Sequence, residues 1–531
     1  MTPLLGISYR MDAMDENCVL PKVPSLVKNG DDNAILLDYL QLCTDVTPPA
    51  DITVKELMDN SRQFPRKFPI ETMRCSTLMT QTHVKKDLME KNANSAYPLL
   101  HETALFLYIR FLEHKKKHGI GPEKTLYASM GLLEFVQRLL EKRSVTFFAK
   151  NDKYLLLSGE QGISGWEAVG SEHETTPLFL SNCLSYDEMK LSALLSVSSW
   201  SYFINEGTRD NKGVPQKNTQ SFTTRGIIIG LIGARLKRIE LMEWQEVLIT
   251  KTQNTKVKGY GAAPASGSTQ LTSERERSLS WRQLWADFYG IKPHLLLFED
   301  IVKLRKSGNK AALTRYRELN RDRLFDNVAY KKRMVVSIET LLFEAEARAV
   351  AQGTTAYIHV VGIGLGVWRA SEHQEKEFLD AFASCLRRLR PVLQHVSDIN
   401  FAWFKEQMNA ETWKGITESN ETGSGIRIMF SKRPPHSKLS DPEDADKLLV
   451  VSYAWDGNAL PGNEFWLGKL GSTGDSAAAS STQITELHNP HINKNKVSGA
   501  NLHIASEKWG ILHISEYVRR KMDPSQTSTK K

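Results

Sequence analysis

Three acids lie within one short stretch, SYAWDGNALPGNEFWLGKLGSTGDSAAAS (452–480): Asp456, Glu464 and Asp475. Asn458 and Asn463 sit between them, and Trp455 and Trp466 stand beside them. A carboxylate next to aromatic surface loses solvation, titrates at higher pH and can act as an acid or a base. Cleavage of a sugar–nitrogen or sugar–oxygen bond uses carboxylates in this way: one aids departure and another orients water. The same residues also fit a plainer reading, in which Asp456 and Asn458 build an Asx-type turn and the tryptophans plug the core.

A second stretch, VVGIGLGVWRASEHQEKEF (360–378), places Gly362, Gly364 and Gly366 after an apolar run and before a helix. Ser371 and Gln374 fit a capping box for that helix. Glycines let a backbone approach a phosphate, and free N–H groups near a helix start bind anions. A dinucleotide fingerprint would need a further glycine where Val367 stands and an acid about twenty residues on, and neither is present. A tight strand–helix turn explains the glycines equally well. In SWSYFINEGTRDNKG (199–213), Arg209 could clamp a diphosphate and Phe203 or Tyr202 could stack on a base, against the alternative of a solvated turn with capping asparagines. His359, His488, His491 and His503 lack metal-ligand spacing, and His359 reads as a satisfied core residue.

The elements that must hold these groups follow from hydropathy. AYIHVV (356–361) and LLVVSY (448–453) are apolar without alternation, and helical patterns surround them. Strands buried on both faces and interleaved with helices mean an α/β layer fold. Asp456 then lies just past the carboxyl end of a buried strand, where open α/β sheets bind ligands. Further helices are predicted over 101–117, 123–142, 186–200 and 334–350, and strands over 145–148, 154–157 and 226–232. Residues 1–100 read as an N-terminal extension of weak pattern, 101–515 as the main domain, 251–279 as a flexible Ser/Thr/Gly/Lys-rich insertion and 516–531 as a disordered basic tail.

Composition narrows the function classes. The chain has 531 residues, 41% hydrophobic and 24% charged, which suits a globular fold with a sizeable core. Its net charge of +8 comes from 69 basic and 61 acidic residues. That bias suits an anionic ligand but makes no basic stripe for nucleic acid. The longest apolar run, near 226–235, is too short to span a bilayer. Five scattered cysteines without a CxxC pair point to a reducing compartment, so a cytosolic or nuclear protein is expected. No metal or cofactor is called for.

Long motifs carry a resemblance. AYIHVVGIGLGVW, LLVVSYAWDGNALPGNEFWLGKLGSTGDSAAASST and ELHNPHIN, preceded by LSYDEMKLSALLSVSSWSYFINEGTRDNKG and RGIIIGLIGARLKRIELMEW, resemble the MavL-like family in the same order over roughly 120–505. The resemblance implies a three-layer α/β/α macrodomain-like mixed sheet, of the poly(ADP-ribose) glycohydrolase branch, with helical N-terminal additions. It implies hydrolysis of ADP-ribose from modified protein side chains, arginine first among them, with ubiquitin as the partner of the bacterial relative. On this resemblance Asp456, Glu464 and Asp475 fall on the acidic motif, with Asn458 and Asn463 beside it. Gly364, Gly366, Val367 and Trp368 fall on the GLGVW loop and Ser201, Phe203 and Asn205 on the loop before the GAR strand, with Gly362 and Arg209 expected at the diphosphate. ADP-ribose would lay its diphosphate on the glycines and its distal ribose on the acids, walled by the tryptophans. A reader that binds without cleaving remains the alternative. The chain departs from the family pattern at Ser476, expected to loosen the turn where relatives have proline, and at RPPHSKL (433–439 and neighbours).

Overall fold

The computed structural model describes residues 18–24, 26, 31–82, 84–148, 150–263, 271–291, 294–405, 410–418 and 425–523. Fifteen strands occur among them. In chain order they are β1 (Tyr97–His101), β2 (Thr146–Phe148), β3 (Lys153–Leu155), β4 (Gln161–Gly162), β5 (Leu195–Tyr202), β6 (Arg225–Leu231), β7 (Leu248–Thr250), β8 (Tyr316–Asn320), β9 (Arg323–Asp326), β10 (Ala356–Val360), β11 (Val396–Ala402), β12 (Arg427–Ser431), β13 (Leu448–Ala454), β14 (His503–Ser506) and β15 (Gly510–His513). Nine form the central sheet, ordered β12-β11-β10-β13-β6-β5-β1-β14-β15, and two small three-stranded sheets flank it.

The block from β12 to β6 is parallel. β5 runs antiparallel to both β6 and β1, so the sheet is mixed. The parallel strands are buried on both faces, which is why Ile227, Ile228, Ile229, Val450 and Val451 need no polar alternation. On one face Leu231, Val360 and Ser452 meet Ser337, Ile338 and Leu341 of helix Asn327–Gln352 and Phe378 of helix Gln374–Leu389. On the other, Ser199 and Tyr453 hydrogen-bond to His488, just past helix Ile484–Leu487. The layers are therefore helix, sheet, helix, as the α/β reading requires.

The connections create a crevice. From β10 the chain passes through helix Gln374–Leu389 to β11 and β12 on one side, then returns to β13 on the other side of β10. Connections diverging from adjacent parallel strands leave an opening beyond their carboxyl ends. The glycine stretch leaves β10 at that opening, and Asp456 follows β13.

Several expectations need correction. Residues 186–200 are not one helix: helix Tyr186–Ser192, capped by Ser185 and Glu188, gives way to β5. Pairing with β1 and β6 on both sides outweighs helical propensity there. The helix predicted over 123–142 breaks into Pro122–Tyr127 and Leu132–Glu141. Within 251–279, residues 264–270 lie outside the described residues, but helix Ser273–Tyr289 has already begun and buries Trp281 and Trp285. Within 516–531, residues to Met522 belong to helix Ile514–Met522, whose Tyr517 and Val518 are buried, while 524–531 lie outside the described residues. Within 1–100, β1 is an interior strand of the main sheet, and Leu40, Leu57, Met73 and Met89 join the same core. Among the described residues no helix is long and apolar enough to cross a membrane.

Candidate active site

The acids are delivered by a compact turn. β13 ends at Ala454, and the chain then makes a turn stapled by Ala459 N donating to Asp456 O at 2.9 Å. Gly462, at φ +104°, opens the short 3-10 helix Asn463–Leu467 that carries Glu464. A glycine is needed here, because added Cβ atoms would lie 2.8 Å from the Ala479 side chain in a backbone region that L residues avoid. Asp475 enters on the first turn of helix Gly474–Ser481.

The departure at Ser476 has the opposite effect to the one expected. Ser476 occupies the third helical position and closes a capping box with Thr473: Ser476 N donates to Thr473 Oγ1 at 3.2 Å, and Thr473 N donates to Ser476 Oγ at 3.0 Å. Serine tightens this turn because its hydroxyl satisfies an otherwise unpaired helix-start amide.

The three acids are brought together, but in different settings. Asp475 is fully buried and braces the loop: Gly462 N donates to its Oδ1 at 2.8 Å and Asp456 N to its Oδ2 at 3.4 Å. Asp456 and Glu464 are half-buried, and Thr473 Oγ1 donates to Glu464 Oε2 at 2.8 Å. Burial and then the charge of Glu464 push the Asp456 carboxyl up to about 7, while a hydrogen bond from Asn463 pulls the other way. Burial, then the charges of Asp456 and Glu464, hold Asp475 well above the carboxylate range. Such a cluster retains a proton near neutral pH, the condition for one carboxyl to give a proton while another accepts one. Among the described residues no group of three or more His, Cys, Asp or Glu has the geometry to hold a metal ion.

The glycine stretch lies next to the acids in strand order. Gly364 sits at φ +73° against Gly233 and Ala234, which follow β6. Trp368 O accepts from Leu236 N at 3.3 Å, anchoring the far end of the loop. Among the described residues, the N–H groups of Gly364, Gly366 and Val367 donate to no protein acceptor. Gly366 is exposed with open space around it, and Val367 is 71% exposed. Unpaired amides on an exposed loop are open to water and are available to an anion. Helix Gln374–Leu389 starts after His373 with no side-chain cap, so the capping box expected of Ser371 and Gln374 does not form at its start; Gln374 Oε1 instead accepts from Ser371 N at 2.8 Å in the preceding turn.

Other expected ligands point inward. Ser201 is buried, donating to Tyr202 O and accepting from Gln483 N at 3.0 Å. Phe203 is buried and stacked on His436 with centroids 4.0 Å apart, so it offers no face to a base. Asn205 spends its amide on Val214 O and Gly207 N. All three follow from β5 running on to Tyr202 inside the sheet. Of this segment, Arg209 stays exposed, on a turn pressed against Gly471 beside the acid-bearing helix. Asn458 is buried, its Oδ1 accepting from Arg235. Asn463 is also buried and spent on protein partners. Trp455 and Trp466 are core plugs and not walls: Trp455 Nε1 donates to Ala459 O, and Trp466 packs on Phe64 and Phe68. His359 is buried with neither ring nitrogen partnered among the described residues, so the expected satisfied histidine is instead one without a partner among them, held neutral by burial.

Two residues escaped the sequence reading. Arg235 lies behind the acid loop, paired with Glu243 at 3.0 Å. Its GAR context was visible, but its partner Asn458, and Arg333 with which it shares Glu243, are remote in sequence. Trp403 follows β11, is 61% exposed and holds φ +65°, with its N donating to Ser431 O at 2.9 Å. An aromatic just past a strand end was its only signal.

Comparison with known proteins identifies the family. A family model described as ADP-ribosylhydrolase MavL-like matches residues 55–520. A Drosophila melanogaster protein named ADP-ribosylarginine hydrolase is 46% identical over 462 residues, covering 87% of this chain and 88% of its own. A second so named, from the same organism, is 44% identical over 501 residues, covering 94% of each. The chain belongs to the MavL-like ADP-ribosylhydrolase family.

Proposed function

We propose that this enzyme removes ADP-ribose from arginine side chains of proteins, with Asp456 and Glu464 facing the distal ribose. The observation that carries the proposal is the order of features along the sheet edge. The acids follow β13, the unpaired amides of Gly364–Val367 follow β10, and Trp403 follows β11. Adjacent strands lie about 4.8 Å apart, so the strand ends that carry the acids and Trp403 are roughly 10 Å apart on one edge of the sheet, with the glycine stretch between them. The distal ribose would lie at the acids, the diphosphate at the glycine amides with Arg209 beside the acid helix, and adenine on the exposed Trp403 ring in place of Phe203.

The reaction needs water and no redox partner. The bond from ribose C1″ to the guanidine nitrogen breaks, its electron pair leaves with the nitrogen, and positive charge develops on the ribose. A carboxylate stabilises that charge while another takes a proton from the attacking water. The hydroxide oxygen bonds to C1″, and the water's proton ends on the released guanidine. The partly exposed Asp456 and Glu464 are placed for these tasks, and the buried Asp475 holds their loop. The relatives' names support the arginine linkage, and the resemblance to the bacterial effector of the MavL-like family is the ground for testing ubiquitin as one carrier of it. The test is incubation with proteins carrying ADP-ribose through arginine, serine or glutamate, with arginine-modified ubiquitin as one arm, read by mass. Release from the arginine arms alone is expected. Binding of ADP-ribose without release from any arm would make this a reader and overturn the proposal.

A further inference from the structure

The acid loop is held by a segment more than three hundred residues away. Asn463 is 1% exposed and sits at φ +25°, in the left-handed region. Asparagine tolerates that region better than most residues, and one kept there is kept by its surroundings. Its side chain pairs with a single residue of β2: Phe147 N donates to Oδ1 at 2.9 Å, and Nδ2 donates to Phe147 O at 3.1 Å. β2 pairs with β3 alone in its sheet, so Asn463 satisfies an edge that no strand covers.

This pairing decides which way the amide points. The atom facing the Phe147 N–H has to be the oxygen, so the nitrogen lies on the other side. That nitrogen also donates to Asp456 Oδ2. Among the described residues no other side chain donates to the Asp456 carboxylate. The same strap is tied twice more: Ser144 N donates to Asn458 O at 3.3 Å, and Leu460 N donates to Ser144 O at 2.8 Å.

We propose that Asn463, oriented by the Phe147 peptide, is the positioning residue that presents Asp456 to the substrate with one oxygen covered and the other free. The proposal rests on the reading that Asp456 acts at the distal ribose. The groups facing this carboxylate are Glu464 from the 3-10 helix, Asp475 from helix Gly474–Ser481 and Arg235 beyond β6. Arg235 spends its donors on Glu243, Asn458 and Met189 O, which leaves Asn463 as the hydrogen-bond donor. Its bond favours the ionised form, opposing burial and the charge of Glu464.

The test uses the full chain with Asn463→Ala and Asn463→Asp. The second variant keeps size and the acceptor for Phe147 N–H but turns an oxygen toward Asp456, so it serves if the alanine variant does not fold. Three readouts are taken: turnover of an ADP-ribosylarginine peptide across pH, ADP-ribose affinity by calorimetry, and carboxyl titration by carbon-13 NMR. We expect kcat to fall on the order of 100-fold with affinity for ADP-ribose within about threefold, because positioning acts on the chemical step. The apparent pKa of the carboxyl cluster and the acid limb of kcat should rise together by about one unit, with the aspartate variant the more severe. Loss of affinity in proportion to kcat would make Asn463 a ligand contact and overturn the proposal, as would an unchanged titration. If the wild type turns over no substrate, the functional reading fails on its own, and the titration still decides the role of Asn463.

Discussion

Two groups of buried and half-buried acids lie near each other and behave in opposite ways. Glu243 is almost fully buried, and burial alone would raise its pKa, yet Arg235 at 3.0 Å and Arg333 at 3.2 Å hold it below the ordinary value. Asp456 and Asp475 are instead surrounded by backbone amides, one asparagine and other acids, and both are held high. Arg235 joins the groups by donating to Asn458 in the acid loop. A compensated carboxylate is part of the frame, since removing either partner strands a charge. An uncompensated cluster costs stability and persists where chemistry uses its proton.

The sharpest way to break this contrast is Asp456→Asn. The amide still accepts from Asn463 but cannot take a proton from water, so ADP-ribose release should fall on the order of 1,000-fold, or about 4 kcal/mol. Wild-type-like turnover would remove Asp456 from the mechanism. Next is Glu243→Ala, which leaves Arg235 and Arg333 buried without their counter-charge and should cost about 3–5 kcal/mol in denaturant unfolding. A neutral result would show that the guanidiniums find other acceptors.

The pH dependence distinguishes the two groups by sign. Asp456 is raised in the folded state, so the native protein binds the extra proton, and stability from this group is full below the unfolded pKa and lost as pH rises through about 7. Asp456→Asn should therefore gain about 2 kcal/mol at pH 8 and nothing near pH 3, allowing for the solvent that reaches this half-buried group. Glu243 is lowered, so its contribution is present above the unfolded pKa and lost on acidification through the folded one. Thermal melts of wild type and the two variants from pH 3 to 8 would show whether the slopes oppose. For turnover, kcat/KM should rise through about pH 7 as Asp456 ionises. The smallest effect separates two glycines. Gly364→Ala forces Cβ to 3.0 Å from Ala234 N at φ +73° and should cost about 1–2 kcal/mol of stability, whereas Gly366→Ala meets open space and should be silent in melts.

Local chemistry made much of this legible. Unalternating apolar runs identified β6, β10 and β13, and strand polarity alone placed Asp456 and the glycines beyond the carboxyl ends of the strands. The helix around 334–350 was visible because its pattern is long, and it extends over Asn327–Gln352. Elements whose identity depends on neighbours were not legible. LSVSSWSY alternates serine with apolar residues and becomes a strand only because β1 and β6 bracket it, and that burial turned Ser201, Phe203 and Asn205 away from the site. The tryptophans beside the acids were equally ambiguous, because proximity in sequence does not say which side of a loop a ring packs on.

The sequence by itself determined the fold class, the family motifs and the set of three acids, since these rest on hydropathy period and residue type. Only the tertiary structure decided the setting of each acid. Asp475 became a brace because two amides reach both its oxygens, whereas Asp456 and Glu464 kept contact with solvent. Asn463 became the partner of Asp456 because a peptide 316 residues away dictates which end of its amide faces the acid. Solvation and hydrogen-bond direction are set by atoms brought together on folding, and no spacing along the chain encodes them.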